Sequence, residues 1–315
     1  MLFEDLQAFV AVARQGSFTH AAAESGIATS ALSKRVQRLE HRVGAALFER
    51  RARGVVLTVA GHAFLGRARR LVDEMAELQR GVSGLVQTPS GDVRVALPQR
   101  TAGLLAPALV DRCRRELPLV QLTVLEGTSA QVHGWLMRGE ADVAVSHNPE
   151  LGAGYTARPL FTEPLFGFAR PAGLADGMPL PEGCGVADLA ALPLLLPRRP
   201  DPIRLLVERL CAGHGLRARV AFEADGTATL RGMAERGMGM ALFALSTTWS
   251  QAVEAGTLSA LPFASPLMSW TPHLVRSRRA DAALAIHAVH ERMAQEIDTL
   301  FERGAWPHAR RAGGA

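Results

Sequence analysis

The chain has 315 residues, 48% of them hydrophobic, 21% charged and 5% aromatic, with 30 Gly and 18 Pro, a length that predicts two domains at about 150 residues each. High hydrophobicity with a net charge of +5 excludes global disorder, and no apolar run approaches the ~20 residues that span a bilayer, so no membrane partner is expected. The charge is uneven: residues 1–70 hold eleven basic against five acidic side chains, leaving the other 245 near neutrality.

A basic module on a neutral body points to a polyanion partner, because Lys and Arg that replace condensed counterions drive association with nucleic acid. A solvated charged face is the competing reading. The first residues carry Glu4 and Asp5 where a secretory leader needs positive charge, so a cytoplasmic location is expected. Between residues 4 and 43 the apolar spacing is helical, through Leu6, Phe9 and Val12, then Ala21 to Ala23, then Leu32, Val36 and Leu39. Ser17 and Thr19 offer N-cap chemistry to the second helix, and Gly26 permits a tight turn into the third. The pattern is a helix-turn-helix. Its third helix leaves Thr29, Ser30, Ser33, Lys34, Gln37 and Arg38 outward, with Arg35 beside them, short polar groups and cations suited to base edges and phosphates. Residues 47–57 read as two short strands around a basic turn, a wing carrying Arg50, Arg51 and Arg53.

From Thr58 to about Gln87, apolar residues fall at Phe64, Ala68, Leu71, Met75, Leu78, Val82 and Leu85. This 3.5-residue repeat is the signature of a coiled-coil seam and predicts a homodimer through the helix, matching a two-fold related DNA site. Thr88-Pro89-Ser90-Gly91 then forms a linker. Beyond residue 91, strands (92–98, 119–127, 141–147) alternate with helices (101–117, 129–138), and a second set runs through 165–169, 192–197, 201–212, 219–224, 227–236 and 239–243. Such alternation implies parallel βαβ units in two small lobes. A strand at 272–276 and a helix at 280–303 return to the first lobe, with crossovers near Pro159–Pro164 and Pro262–Pro266.

In open parallel sheets, ligands sit beyond the carboxyl ends of strands, where helix N-termini present free N–H groups. Four such corners are Gln99-Arg100-Thr101, Thr128-Ser129, Arg198-Arg199 before Asp201, and Thr227 after Gly226. Hydroxyls in one lobe facing Arg198 or Arg199 of the other would bias the cleft toward a small anion. The threonines acting as plain helix caps is the alternative at each corner.

These residues resemble the LysR-type bacterial transcriptional regulators over essentially the whole chain. The likeness rests on Ala21-Ala22, Ala31-Leu32-Ser33-Lys34-Arg35-Val36, Leu39-Glu40 with Gly44, Leu47-Phe48 with Arg50, and Leu57-Thr58 with Gly61. In the second half, Gly91-Asp92-Val93-Arg94-Val95, Gly139 to Val145 and Gly237 to Leu242 look like that family's effector-binding domain, and Glu126 to Ser129 with Trp135-Leu136 like its nitrogen-assimilation-control subgroup. The resemblance implies an N-terminal all-α winged helix-turn-helix with a coiled-coil linker helix and a C-terminal α/β two-lobed effector domain similar to periplasmic binding proteins. It further implies a homotetramer on double-stranded promoter DNA, whose bend a small inducer changes, with RNA polymerase as a candidate further partner. Ser25, Ala28 and Thr29 depart from the family pattern around the turn. Where the family often places a small hydroxyl residue after the first strand of the effector domain, this chain has Arg100, an expectation of a more acidic inducer.

The domain division expected is 1–58 for the DNA-binding module and 59–90 for the linker helix and hinge. The effector domain takes 91–305, its first lobe about 91–162 with 267–305 and its second about 163–266, and 306–315 is expected to be a disordered tail. No cofactor and no catalysis are expected. Gly237-Met238-Gly239 lacks the third Gly of a dinucleotide fingerprint, and His287, His290 and Glu291 lack metalloprotease spacing. The alternative to an inducer is a thiol switch between Cys184, in an expected loop, and Cys211, since Cys113, Cys184 and Cys211 fit neither a secreted framework nor a zinc pattern.

Overall fold

The computed structural model describes residues 3–312 apart from 52–53, 83–87, 148–153, 176, 246, 264–267 and 278–283. Three helices come first, α1 (Phe3–Gln15), α2 (Phe18–Ser25) and α3 (Thr29–Val43). Ser17 caps α2 by accepting from the His20 amide, and Gly26 ends it at φ 66°, a left-handed turn that returns its N–H to the carbonyls of Ala22 and Ala23. The helical spacing read from the sequence becomes the core, with Phe9, Val12, Leu32, Val36 and Leu39 all buried. β1 (Phe48–Arg51) and β2 (Gly54–Leu57) form the antiparallel wing, anchored by Phe48 against Phe9 and Phe18 at 5.2 and 5.9 Å between ring centroids. The turn between them, with Arg53, lies outside the described residues.

The linker helix α4 (Val59–Val82) starts on Thr58, whose hydroxyl accepts from the Gly61 amide at 2.9 Å. Its apolar seam is not wholly free for a partner helix, which corrects the expectation from the 3.5-residue repeat. Phe64 and Ala68 pack with Leu6 and Phe9 of α1, closing the core of the small module, whereas Leu71 and Met75 stay 47% and 40% exposed. The side chains of Leu78 and Val82, and all of Leu85, lie outside the described residues.

The rest of the chain runs β3 (Gly91–Pro98), α5 (Gln99–Glu116), β4 (Val120–Gly127), α6 (Ser129–Arg138), β5 (Val143–His147), β6 (Tyr155–Pro159) and β7 (Phe161–Ala169). There follow α7 (Val186–Ala191), β8 (Leu194–Leu196), α8 (Pro202–Gly213), β9 (Val220–Glu223), α9 (Thr227–Glu235), β10 (Met240–Ala244), α10 (Thr247–Glu254) and β11 (Ser259–Pro262). The last elements are β12 (Ser269–Trp270), β13 (Pro272–Ser277), α11 (Leu284–Glu302) and β14 (Arg310–Arg311). Two sheets result, ordered β4-β3-β5-β13-β6 and β11-β7-β10-β8-β9.

Strand alternation explains why both faces of each sheet are covered. In β3, Val95 and Leu97 point to α5 and α11, while Ala96 points to Val132 and Leu136 of α6. In β8, Leu194 and Leu196 meet α7 and α8, while Leu195 meets Leu230 of α9 and Trp249 of α10. The linker helix meets the first lobe at Gly66: a Cβ there would lie 1.7 Å from the Arg138 carbonyl oxygen, so glycine lets α4 meet the end of α6.

The lobes are joined where β7 leaves the first and β12 returns to it, and these two strands pair directly, Glu163 opposite Trp270. The return strand therefore lies further along than Pro262–Pro266, a stretch largely outside the described residues. Residues 306–312 are also ordered, against the expectation of a disordered tail. Trp306 is buried against Phe161 at 4.7 Å, β14 pairs with the start of β7, and Arg311 reaches Asp298 at 2.9 Å, because the first lobe's core is incomplete without the indole.

Candidate nucleic-acid face and ligand cleft

On α3, Thr29, Ser30, Lys34, Gln37 and Arg38 are exposed, and Ser33 is half-buried. Thr29, Ser30 and Ser33 share one depression with Ser17, Phe18 and Thr19 of the second helix's start and with Arg50, Arg51, Gly54 and Val55 of the wing. Arg35 is drawn back to Glu4 at 2.9 Å, Arg38 to the buried Asp5 at 2.8 Å, and Arg51 to Glu49 at 2.8 Å. Among the described residues no acid pairs with Lys34 or Arg50, which leaves these two as the uncommitted cations of the face. Ser17 and Thr19 read from the sequence only as caps. The N-terminus of a helix lying against the recognition helix is the signal for a wider role.

Between the lobes lies a cavity of about 320 Å³, at the carboxyl ends of β3, β4, β5 and β8, where Pro98, Gly127, His147 and Pro197 line it. Its size and apolar walls of Ile203, Phe243, Trp249 and Trp270 fit a small organic molecule. Of the expected contacts, Gln99, Arg100, Thr128, Ser129 and Thr227 line it, and Thr101, Arg198 and Arg199 do not. Thr101 is buried within α5. Arg198 is bonded to Asp225, itself on the cavity wall, and Arg199 to Glu208, so each arginine is taken up by an acid of its own lobe. Thr128 both lines the cavity and completes a capping box with Gln131, whereas α9 begins without a side-chain cap, leaving the Thr227 hydroxyl unused there.

Arg100 does line the cavity, but its guanidinium is held two-pronged by Glu163, at 2.8 and 2.7 Å. Glu126, Asp201 and Asp225 are the other charged groups on the wall among the described residues. The cleft is thus not the cationic pocket expected from the arginines in the sequence.

Two parts of the chain match family models: a bacterial regulatory helix-turn-helix protein of the lysR family over residues 3–62, and a LysR substrate binding domain over residues 87–298. The HTH-type transcriptional regulator BbuR of Bordetella bronchiseptica is 31% identical over 302 residues, spanning 96% of this chain and 92% of that protein. The nitrogen assimilation regulatory protein nac of Klebsiella aerogenes is 29% identical, covering 91% and 92% of the two chains. The chain belongs to the LysR family of transcriptional regulators. Its fold is that of solved LysR-family members: a single-residue variant of full-length OxyR from Pseudomonas aeruginosa superposes with a TM-score of 0.71 at 20% identity over 100% and 99% of the chains. CbnR complexed with its target DNA gives 0.56 at 21% identity over 94% and 100%.

Within this LysR-family cleft, the group that sequence reasoning missed is His147. It is the last residue of β5, so the rule that ligands sit beyond strand C-termini would have found it. Its Nδ1 lies 3.2 Å from the Ser129 hydroxyl, its ring stacks on Trp270 at 4.0 Å between centroids, and its Nε2 has no partner among the described residues. Burial, aided by Arg100 and His273, pushes the imidazole down to about 3, so it is a neutral hydrogen-bonding group at physiological pH. A folded-state value below the unfolded 6.5 means that this group's contribution to stability is complete above pH 6.5 and is lost as pH falls toward 3. Asp201, pushed up to about 6 by burial, acts with the opposite sign and loses its contribution as pH rises from 3.8 to about 6. His147→Gln should therefore flatten the acid side of a melting-temperature-against-pH curve relative to the parent. Parallel curves below pH 6.5 would show that the imidazole is not held neutral.

Proposed function

We propose that this LysR-family chain is a sequence-specific DNA-binding regulator acting as a dimer of dimers, with a small effector in the interlobe cleft that modulates promoter bending. The observation that carries the reading is the single depression shared by α3, the start of α2 and the wing, which sets several hydroxyls beside the uncommitted Arg50 on one face. Thr29, Ser30, Ser33 and Gln37 read base edges in this proposal, and Lys34, Arg35, Arg38, Arg50 and Arg51 hold phosphates. Leu71 and Met75, exposed on α4, supply the seam between two copies. The chain divides, in the same reading, into a DNA module over 1–58, a linker over 59–90 and the two-lobed body from 91.

The effector in this reading is a small carboxylate with an apolar body. Its hydrogen-bond donors are the first turn of α6, where Ser129 stands at the helix N-terminus with its hydroxyl 3.2 Å from His147 Nδ1. The apolar part lies among Phe243, Trp249 and Trp270. A thiol switch has less support. Cys184 is fully buried 3.6 Å from the Met240 sulfur with its thiol pushed up to about 12 by burial, and Cys211 is buried on α8 with its thiol pushed up for the same reason. Peroxide-sensing thiols are exposed and acidic.

Fluorescence anisotropy of the full chain on the DNA upstream of its own gene, against random DNA and across a salt series, tests the reading. Tight binding to the upstream fragment alone, surviving physiological salt, is the expected result, and equal, steeply salt-sensitive binding to both would reduce the face to a basic patch. In the same assay Arg50→Ala should weaken binding to every sequence alike and lower the salt slope by about one. An unchanged slope removes the wing from the interface.

A further inference from the structure

We propose that Glu163 sets the charge class of the ligand, holding the cleft to effectors with a single negative charge by occupying Arg100. This rests on the reading of the interlobe cavity as the effector site. Glu163 lies on β7 at the crossing between the lobes and is 2% exposed. One carboxylate oxygen accepts from Arg100 Nη1 at 2.8 Å, and the other accepts from Arg100 Nη2 at 2.7 Å and from the Trp270 indole N–H at 2.8 Å. Arg100 also lies 5.2 Å from the Trp270 ring centre, and both of those residues face the cavity while Glu163 stands behind them. Every strong bond of the carboxylate is thus made to the cavity wall itself.

The consequence is a matter of charge balance. A buried bidentate pair offsets the charge of the only arginine on the wall among the described residues, and of the other charged wall groups Asp225 is neutralised by Arg198 while Glu126 and Asp201 are acids with no cation paired to them among the described residues. One carboxylate on a ligand finds the first turn of α6 and Ser129. A second finds no unmatched cation and two or more acids. The expectation of a more acidic inducer, drawn from Arg100 in the sequence, is reversed once its partner 63 residues away is known.

The test is calorimetric titration of the full chain with two compounds of one shape, isophthalate with two negative charges and 3-carbamoylbenzoate with one. The parent protein should bind 3-carbamoylbenzoate roughly tenfold or more tightly than isophthalate, the scale of one charge-assisted bond. Glu163→Gln keeps the shape of the side chain and releases the charge of Arg100, so it should move that ratio by a similar factor toward isophthalate. The double variant E163Q/R100Q should return the ratio toward the parent value, which a merely structural role for Glu163 would not produce. Arg100→Gln alone should widen discrimination against isophthalate, and it decides the matter where Glu163→Gln does not fold. A parent preference for isophthalate overturns the proposal, as does a ratio unmoved in a folded Glu163→Gln or Arg100→Gln protein. Binding of neither compound to any of these proteins counts instead against the cavity as a carboxylate site, the reading beneath it.

Discussion

Leu32→Ala is expected to destabilise the DNA-reading module by roughly 2–5 kcal/mol and to abolish specific DNA binding while leaving the two-lobed body folded. Leu32 is 1% exposed at the centre of a cluster with Val12, Ala21, Ala22 and Val36, and it lies on the helix whose opposite face carries Ser30, Ser33 and Lys34. A module of this size has a core too small to spread the loss of one large side chain, so the figure is comparable to its whole stability. Differential melting should show an early transition separating from the main one, and anisotropy should show loss of binding to the upstream DNA. A single unshifted transition with parental affinity would mean that α3 is held by contacts other than this cluster.

Trp249→Ala is expected to cost the second lobe about 3–5 kcal/mol and to destroy the cleft's affinity for aromatic carboxylates, with DNA affinity in the absence of ligand unchanged. The indole is 1% exposed, stacks on Phe168 at 4.5 Å and on Phe243 at 5.0 Å, and lines the cavity at the same time. It is thus both core and wall, and its removal joins the cavity to a new void. Trp249→Phe should recover most of the stability and part of the ligand affinity, and equal loss in both variants would assign the effect to the indole N–H instead of to ring volume.

The order of elements was legible because most are long and strongly patterned: the ranges 129–138 and 227–236 read from the sequence match α6 and α9 to within a residue. Short or edge elements left no comparable signal. β6 has exposed residues at three of its five positions, and β14 is two arginines, so neither shows the alternation that betrays a strand. The cleft was legible where it is made by chain position, since Gln99, Arg100, Thr128, Ser129 and Thr227 all follow strand ends and open helices. It was illegible where it depends on partners distant in sequence. Nothing local to Arg100 announces Glu163, and nothing local to Arg198 announces Asp225. Counting cations along a chain overstates the charge of a pocket whenever acids from other strands are folded against them.

α6 has one end in the cleft and the other against the linker. Ser129 begins it at the cavity wall, and Arg138 ends it with the carbonyl that Gly66 of α4 admits. Ten residues of helix make a rod of about 15 Å whose internal hydrogen bonds resist bending. This helix connects the cavity wall to the linker helix directly, by a route that does not pass through the crossing strands joining the lobes. Cavity and linker, far apart in sequence, are thus separated in space by the length of one helix.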